Sequence, residues 1–215
     1  MKQQGAFTEK LWTVIQPVYQ QIINCQFIKR LADGTLPFEW FAHYLSQDVL
    51  YIIDDSRALA IVAGRAENPE ETYFFLQLAR DGLDIERALH NDYIRMLKIT
   101  EAKEKSPAFK AYSDFLIDNA FNAPYPVAAT ALLPCFWVYY NSMEHVYNNS
   151  VENNPYKKWI DAYSGGEYKR YTENFIKIVE NLAQKSDSEI REQMVLVFVE
   201  GTKHELRVFE EAAGQ

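Results

Sequence analysis

The strongest constraint on this chain is the spacing of its apolar residues, which recur every three or four positions over long segments and nowhere alternate long enough to make a strand. From Phe7 to Ile28 the residues Leu11, Val14, Ile15, Val18, Ile22 and Ile23 form one helical stripe in spite of Pro17, and Asp33-Gly34 ends it. Pro37 opens a second helix, whose stripe of Phe38, Phe41, Leu45, Tyr51, Ile52 and Leu59 runs to Gly64. Pro69-Glu70-Glu71 starts a third, carried through Phe75, Leu78, Leu83, Ile85, Leu89, Tyr93, Leu97 and Ile99, with Gly82 a point of division or bending. Ser106-Pro107 begins the next, with Ser106 as its cap and Phe109, Tyr112, Phe115 and Leu116 along one side. Pro124-Tyr125-Pro126 ends that element and begins the helix of Cys135.

Beyond it, Asn148-Asn149 and Asn153-Asn154-Pro155 mark turns before a short helix through Trp159 and Tyr163. Ser164-Gly165-Gly166 reads as a C-terminal cap and a restart, Glu167 to Ala183 as a helix, and Asp187 to Ala213 as the last one, capped by Ser186 or Asp187. Only 8 glycines occur in 215 residues, and there are no internal repeats or Gly/Ser linkers, so a single domain over 1–215 is expected. The fold class predicted is all-α, a helical bundle with a pocket between helix faces.

Charge and composition narrow the function. A net charge of −8 without any basic cluster argues against nucleic acid as a partner. The N-terminal MKQQGAFTEKLW lacks the apolar run of a signal peptide and no stretch approaches a membrane span, so a soluble cytoplasmic protein with no membrane partner is expected. Its two cysteines, Cys25 and Cys135, are then expected to be reduced, with Cys25 a packing residue. The 14 Tyr and 13 Phe supply rings for a core or for a pocket that holds a flat ligand.

Chemistry is concentrated in PVAATALLPCFWVYY, residues 126–140, where Cys135 follows Pro134 and Tyr139 lies one turn further on the same face. Such a thiol is inert packing unless another helix supplies a partner. Asp48 is flanked by Tyr44 and Tyr51 at helical spacing, which describes either a half-exposed acid or a carboxylate inside an aromatic pocket. Glu205 has Lys203, Arg207, Glu210 and Glu211 as neighbours, so its surroundings read as a solvated face. The four histidines make no metal signature: Glu86 and His90 are four apart, not three, and read as a structural hydrogen bond. No metal site and no Gly-rich phosphate loop is expected.

Taken in order, FxxYLxQDxxY (Phe41 to Tyr51), IERALHxxY (Ile85 to Tyr93), Tyr112, LLPCFWVYY, WIDAYSG (Trp159 to Gly165) and HELRVF resemble the TenA family, also called thiaminase II or aminopyrimidine aminohydrolase. The resemblance implies a fold like that of haem oxygenase without haem, no cofactor, and a homotetramer. It implies hydrolysis of the C–N bond at the methylene carbon of aminomethyl-aminopyrimidine, and of thiamin, to give hydroxymethylpyrimidine. Carried over by position, Cys135 is the nucleophile, Glu205 the acid/base at the ring and Asp48 the anchor for the ring amine. Tyr163 hydrogen-bonds within the Cys135 and Glu205 network, Tyr51 and Tyr139 line the pocket, and Tyr112 faces the ligand. Val208 and Phe209 stand where many relatives carry an aromatic pair: Phe209 joins the substrate-binding set, and Val208 offers less stacking surface. The segment Asp48-Val49-Leu50 lacks the extra tyrosines of some members. Retention of the cysteine assigns the chain to the thiol-dependent branch. Two other readings are a non-catalytic pyrimidine-binding protein on the same bundle, and a haem or di-iron oxygenase.

Overall fold

A computed structural model describes residues 3–214, apart from the side chains of Ile85, Glu86, Leu89 and His90. The expected Glu86–His90 hydrogen bond, and the packing expected of Ile85 and Leu89, therefore lie outside the described residues. Ten helices account for the described fold: α1 (Ala6–Asn24), α2 (Gln26–Asp33), α3 (Phe38–Arg65), α4 (Pro69–Leu97), α5 (Pro107–Asn122), α6 (Tyr125–Leu132), α7 (Pro134–Asn148), α8 (Lys157–Tyr163), α9 (Gly166–Lys185) and α10 (Ser188–Ala212). No strand occurs among the described residues, as the apolar periodicity predicts. None of their helices is long and apolar enough to cross a membrane.

Two breaks differ from the expected elements. The first apolar stripe is split at Cys25, whose extended backbone (φ −66°, ψ 159°) separates α1 from α2. Cys25 is thus a half-buried junction residue with a free thiol, packed against the core from a bend. The run from Pro126 to Tyr140 is likewise two helices, because Pro134 has no N–H to give the carbonyl of Thr130. Leu133 N–H bonds that carbonyl instead at 3.2 Å, and Phe136 N–H turns to Leu133 O at 3.1 Å. The carbonyl of Leu132, which Phe136 would satisfy in a continuous helix, is left for another donor. Gly82, by contrast, sits inside an unbroken α4.

Helix ends are closed by local caps and by side chains from distant elements. Asn68 accepts from Glu70 N–H at the start of α4, and Asp187 accepts from Ile190 N–H at the start of α10. Ser106, the expected cap of α5, does not cap through its own side chain. Its hydroxyl donates to the Glu211 carboxylate, which also accepts from Ala108 N–H at 2.8 Å, so a carboxylate of α10 meets the positive end of α5. At the other end of α5 the Arg65 guanidinium donates to the carbonyls of Ala120 and Ala123. Buried Glu180 on α9 does for α1 what Glu211 does for α5, accepting from Thr8 N–H at 2.8 Å.

The long α3 packs along α4 and α5, while α10 runs through the middle against α1, α5, α6 and α7. Trp137, Phe198, Phe41, Phe109 and Trp159 are fully buried in the shared core. Helices approach closely at Gly201 on α10, where a Cβ would lie 2.7 Å from Pro134 Cγ and 3.4 Å from Ala131 O. The proline ring is rigid, so Gly201→Ala should separate α10 from the α6–α7 junction. Overpacking of about 1–3 kcal/mol outweighs a helix-propensity gain of at most about 1 kcal/mol. Thermal unfolding followed by circular dichroism should show a melting temperature lowered by roughly 2–6 °C.

Candidate active site

A cavity of about 110 Å³ opens between α3, α4, α5, α7, α8, α9 and α10. The i, i+4, i+7 and i+11 positions of α3 place Tyr44, Asp48, Tyr51 and Asp55 on one face, and all four line it. Helix α5 contributes Tyr112, α7 Cys135 and Tyr139, α8 Tyr163, and α10 Glu205 with Val208. At one edge Tyr171 of α9 donates to Asp81 of α4 at 2.9 Å, joining the two walls.

The structure brings together most of the residues singled out in the sequence. Asp48 is 7% exposed and Glu205 is 3% exposed, which decides both against a solvated helix face. For Glu205 the charged neighbours point elsewhere: Lys203 and Arg207 pair with Glu200 on the outer side of α10. Tyr112 Oη donates to Glu205 Oε1 at 2.7 Å, and His204 stacks on the far face of the Tyr112 ring at 5.2 Å and 6°. Tyr163 stands edge-on to Tyr139 with centroids 5.1 Å apart. Tyr51 and Tyr112 lie 5.0 Å apart. Phe209, expected at the ligand, is behind the wall. Its ring is 1% exposed and is sandwiched with Phe27 at 5.5 Å and Tyr44 at 5.7 Å, and the lining position falls to Val208.

Cys135 is half-buried, in the first turn of α7, and its thiol lies on the cavity wall. Sγ is 2.8 Å from Leu132 O, the carbonyl freed by the break at Pro134, and 3.4 Å from Asp55 Oδ1. The buried Tyr51 hydroxyl lies against the same sulfur, short of full hydrogen-bond geometry. Backbone and side chain alike tie this turn down, since Tyr168 Oη donates to Cys135 O at 3.0 Å.

Among the described lining residues there is no Lys, Arg or His to set against the four carboxyls of Asp48, Asp55, Asp81 and Glu205. Burial raises the Glu205 carboxyl to about 8; the Tyr112 hydrogen bond opposes this and the Asp48 and Asp55 charges add to it. Burial raises Asp55 to about 7, opposed by the Cys135 hydrogen bond and assisted by the Asp48 charge. Burial, then the charges of Asp55 and Glu205, hold the Cys135 thiol well above its ordinary value. At neutral pH the site therefore contains a neutral thiol, a protonated Glu205 and an Asp55 poised between its two forms. That set can donate a proton at one end and accept one at the other.

Asp55 escaped the sequence reading, as did Tyr168 and Tyr171. A signal for Asp55 existed: it follows Asp48 by seven residues and Tyr51 by four, the spacing that keeps all three on one helix face.

Comparison with known proteins follows the same outline. The chain is 31% identical over 212 residues to the thiamine biosynthesis multifunctional protein ThiED of Corynebacterium efficiens, covering 98% of this chain and 29% of that one. This chain thus spans less than a third of that relative. It is 28% identical to the aminopyrimidine aminohydrolase of Bacillus subtilis over 83% of this chain and 78% of the other. A TenA homologue from P. horikoshii OT3 superposes with a TM-score of 0.88 at 29% identity, covering 97% of this chain and 98% of that one. The model of the TENA/THI-4/PQQC family matches residues 12–214, and this chain belongs to that family.

Proposed function

We propose that this chain is an aminopyrimidine hydrolase of thiamin salvage, cleaving the C–N bond at the methylene carbon of aminomethyl-aminopyrimidine or of thiamin to leave hydroxymethylpyrimidine. The observation that carries this reading is the convergence of a thiol, Cys135, with two buried carboxylates, Asp48 and Glu205, from three helices on one aromatic-walled cavity. The aminohydrolase names of relatives, including the one from Bacillus subtilis, support it.

An aminopyrimidine carries an amine donor beside a ring nitrogen acceptor. Asp48 accepts from the amine, and Glu205 in its protonated form donates to a ring nitrogen. Addition of the Cys135 sulfur to a ring carbon breaks the aromaticity, with the displaced electron pair taken up at the nitrogen that Glu205 protonates. The electron-rich adduct then expels the amine, or the thiazole of thiamin, from the methylene carbon. Water adds at that carbon, the ring nitrogen returns its proton to Glu205, and the C–S bond breaks. Tyr51, Tyr112 and Tyr139 wall the ring and exclude bulk water, and Tyr163, which lines the same cavity, is assigned to the Cys135 and Glu205 hydrogen-bond network that forms around the bound ring. Phe209 contributes by holding the Tyr44 ring in place. The protein acts in the cytoplasm as a single domain and assembles as a homotetramer, for which exposed Tyr73 and Leu76 on one side of α4 supply apolar surface.

Cys135→Ala should abolish ammonia release from the aminomethylpyrimidine while the ligand still binds; equal rates in the two proteins would discard the nucleophile. Glu205→Gln should lower kcat about 10²–10⁴-fold, the span of general acid catalysis, and remove the alkaline limb of the pH–rate profile. Glu205 also has a stability signature. Its carboxyl ionises near 4.5 when unfolded and at about 8 when folded, so the native state holds the extra proton between those values and stability falls as pH rises through the window. Glu205→Gln is free of that loss. Calorimetry at pH 8.5 should give the variant a melting temperature higher by at least about 3 °C, with the gap closing below pH 5. Sedimentation should return the mass of four chains.

A further inference from the structure

A nucleophilic thiol must lose its proton, and the Cys135 site has no cation to keep a thiolate in place. Among the described residues none of the cavity lining is Lys, Arg or His. The charges that do face the sulfur are negative and hold the thiol in its neutral form. The proton has to leave as the sulfur attacks, and it has to go to a group already in contact. Two acceptors touch Sγ: Leu132 O, at 2.8 Å, and Asp55 Oδ1, at 3.4 Å. A peptide carbonyl is far too weak a base for the role, whereas a carboxylate in a poorly solvated site is a competent one.

We propose that Asp55 is the catalytic base that takes the proton of the Cys135 thiol as the sulfur attacks, an assignment that rests on Cys135 being the nucleophile proposed above. The groups facing this pair are Tyr51 and Asp48 on its own helix, Tyr112 on α5 and Glu205 on α10, and the carboxyls among them disfavour a standing thiolate, so the proton passes to Asp55 as the C–S bond forms.

The step balances. The S–H bond breaks and its proton moves to Asp55 Oδ1. The sulfur electron pair forms the C–S bond, and a ring electron pair moves to the nitrogen that takes the Glu205 proton. Asp55 ends neutral, Glu205 ends ionised, and the total charge is unchanged. When the substrate's leaving group is an amine, which cannot depart as an anion, the proton held by Asp55 passes to it and it leaves as ammonia. Water then supplies hydroxide to the methylene carbon and, through Asp55, a proton to the departing sulfur. The two carboxyls thus have opposite duties, as their different surroundings allow.

The test is the pH dependence of Cys135 alkylation by iodoacetamide, read on its own peptide by mass spectrometry so that Cys25 does not contribute. In the wild type the rate should rise in a step centred near pH 7, following the ionisation of Asp55. Asp55→Asn should lose the step and react only as the thiol itself ionises, and Asp55→Glu should keep it. In turnover, Asp55→Asn should lower kcat by about 10²–10⁴-fold with KM little changed and lose the acid limb, whereas Asp55→Glu should recover part of the rate. Asp55→Ser supplies the same measurements if the amide is not accommodated. Alkylation profiles that superimpose for wild type and the Asn and Ser variants, or kcat in those variants within about 3-fold of wild type, would overturn the assignment. A wild type without turnover would instead sink the substrate assignment, because the alkylation step tests the Asp55–Cys135 proton transfer by itself.

Discussion

Four carboxyls share an aromatic-walled cavity without a single cationic lining residue among those described, and this electrostatic constraint governs the rest of the site. Negative charges buried together with no cation on the cavity wall are costly, so Glu205 and Asp55 respond by holding their protons more tightly. Glu205 is pushed to about 8 and Asp55 to about 7, and the thiol between them stays neutral. A site built this way rests with its protons loaded, as the proposed transfer of protons to and from a ring requires. It also suits a substrate that brings amine or cationic nitrogen rather than phosphate, because an added negative charge would find no partner on the walls.

Holding such groups together needs a scaffold that does not relax toward water. The α6–α7 break at Pro134 performs two tasks at once. It frees the Leu132 carbonyl to receive the Cys135 thiol, and its proline ring seats against Gly201, setting the distance at which α10 brings Glu205 to the cavity. Carboxylates elsewhere do purely structural work at helix N-termini: Glu211 for α5 and Glu180 for α1. The contrast with Glu205, on the same helix as Glu211, shows how position alone separates a capping acid from one that must carry a proton.

Much of this was readable in the chain. Apolar periodicity and proline placement yielded the all-α class and nearly every helix boundary, since those signals act over one or two turns. The motif order pointed to Cys135, Asp48, Tyr51, Tyr112, Tyr139 and Tyr163, all of which line the cavity. Asp55 and the placement of Phe209 were less accessible. Asp55 has a neighbouring acid, Asp54, that pairs outward with Arg57 and Lys105, and a run of two aspartates does not reveal which one turns inward. Phe209 has no local feature that distinguishes a ring touching ligand from a ring stacked one layer behind.

The sequence by itself therefore determined which residues form helices and which face of each is apolar, because backbone sterics, capping and 3.6-residue periodicity are local. Only the tertiary structure decided that Glu205 is inside although its neighbours in the chain are charged, and that Asp55 rather than Asp54 meets the thiol. Burial and proton affinity depend on what other helices bring to within a few ångströms, and no spacing along one helix encodes that.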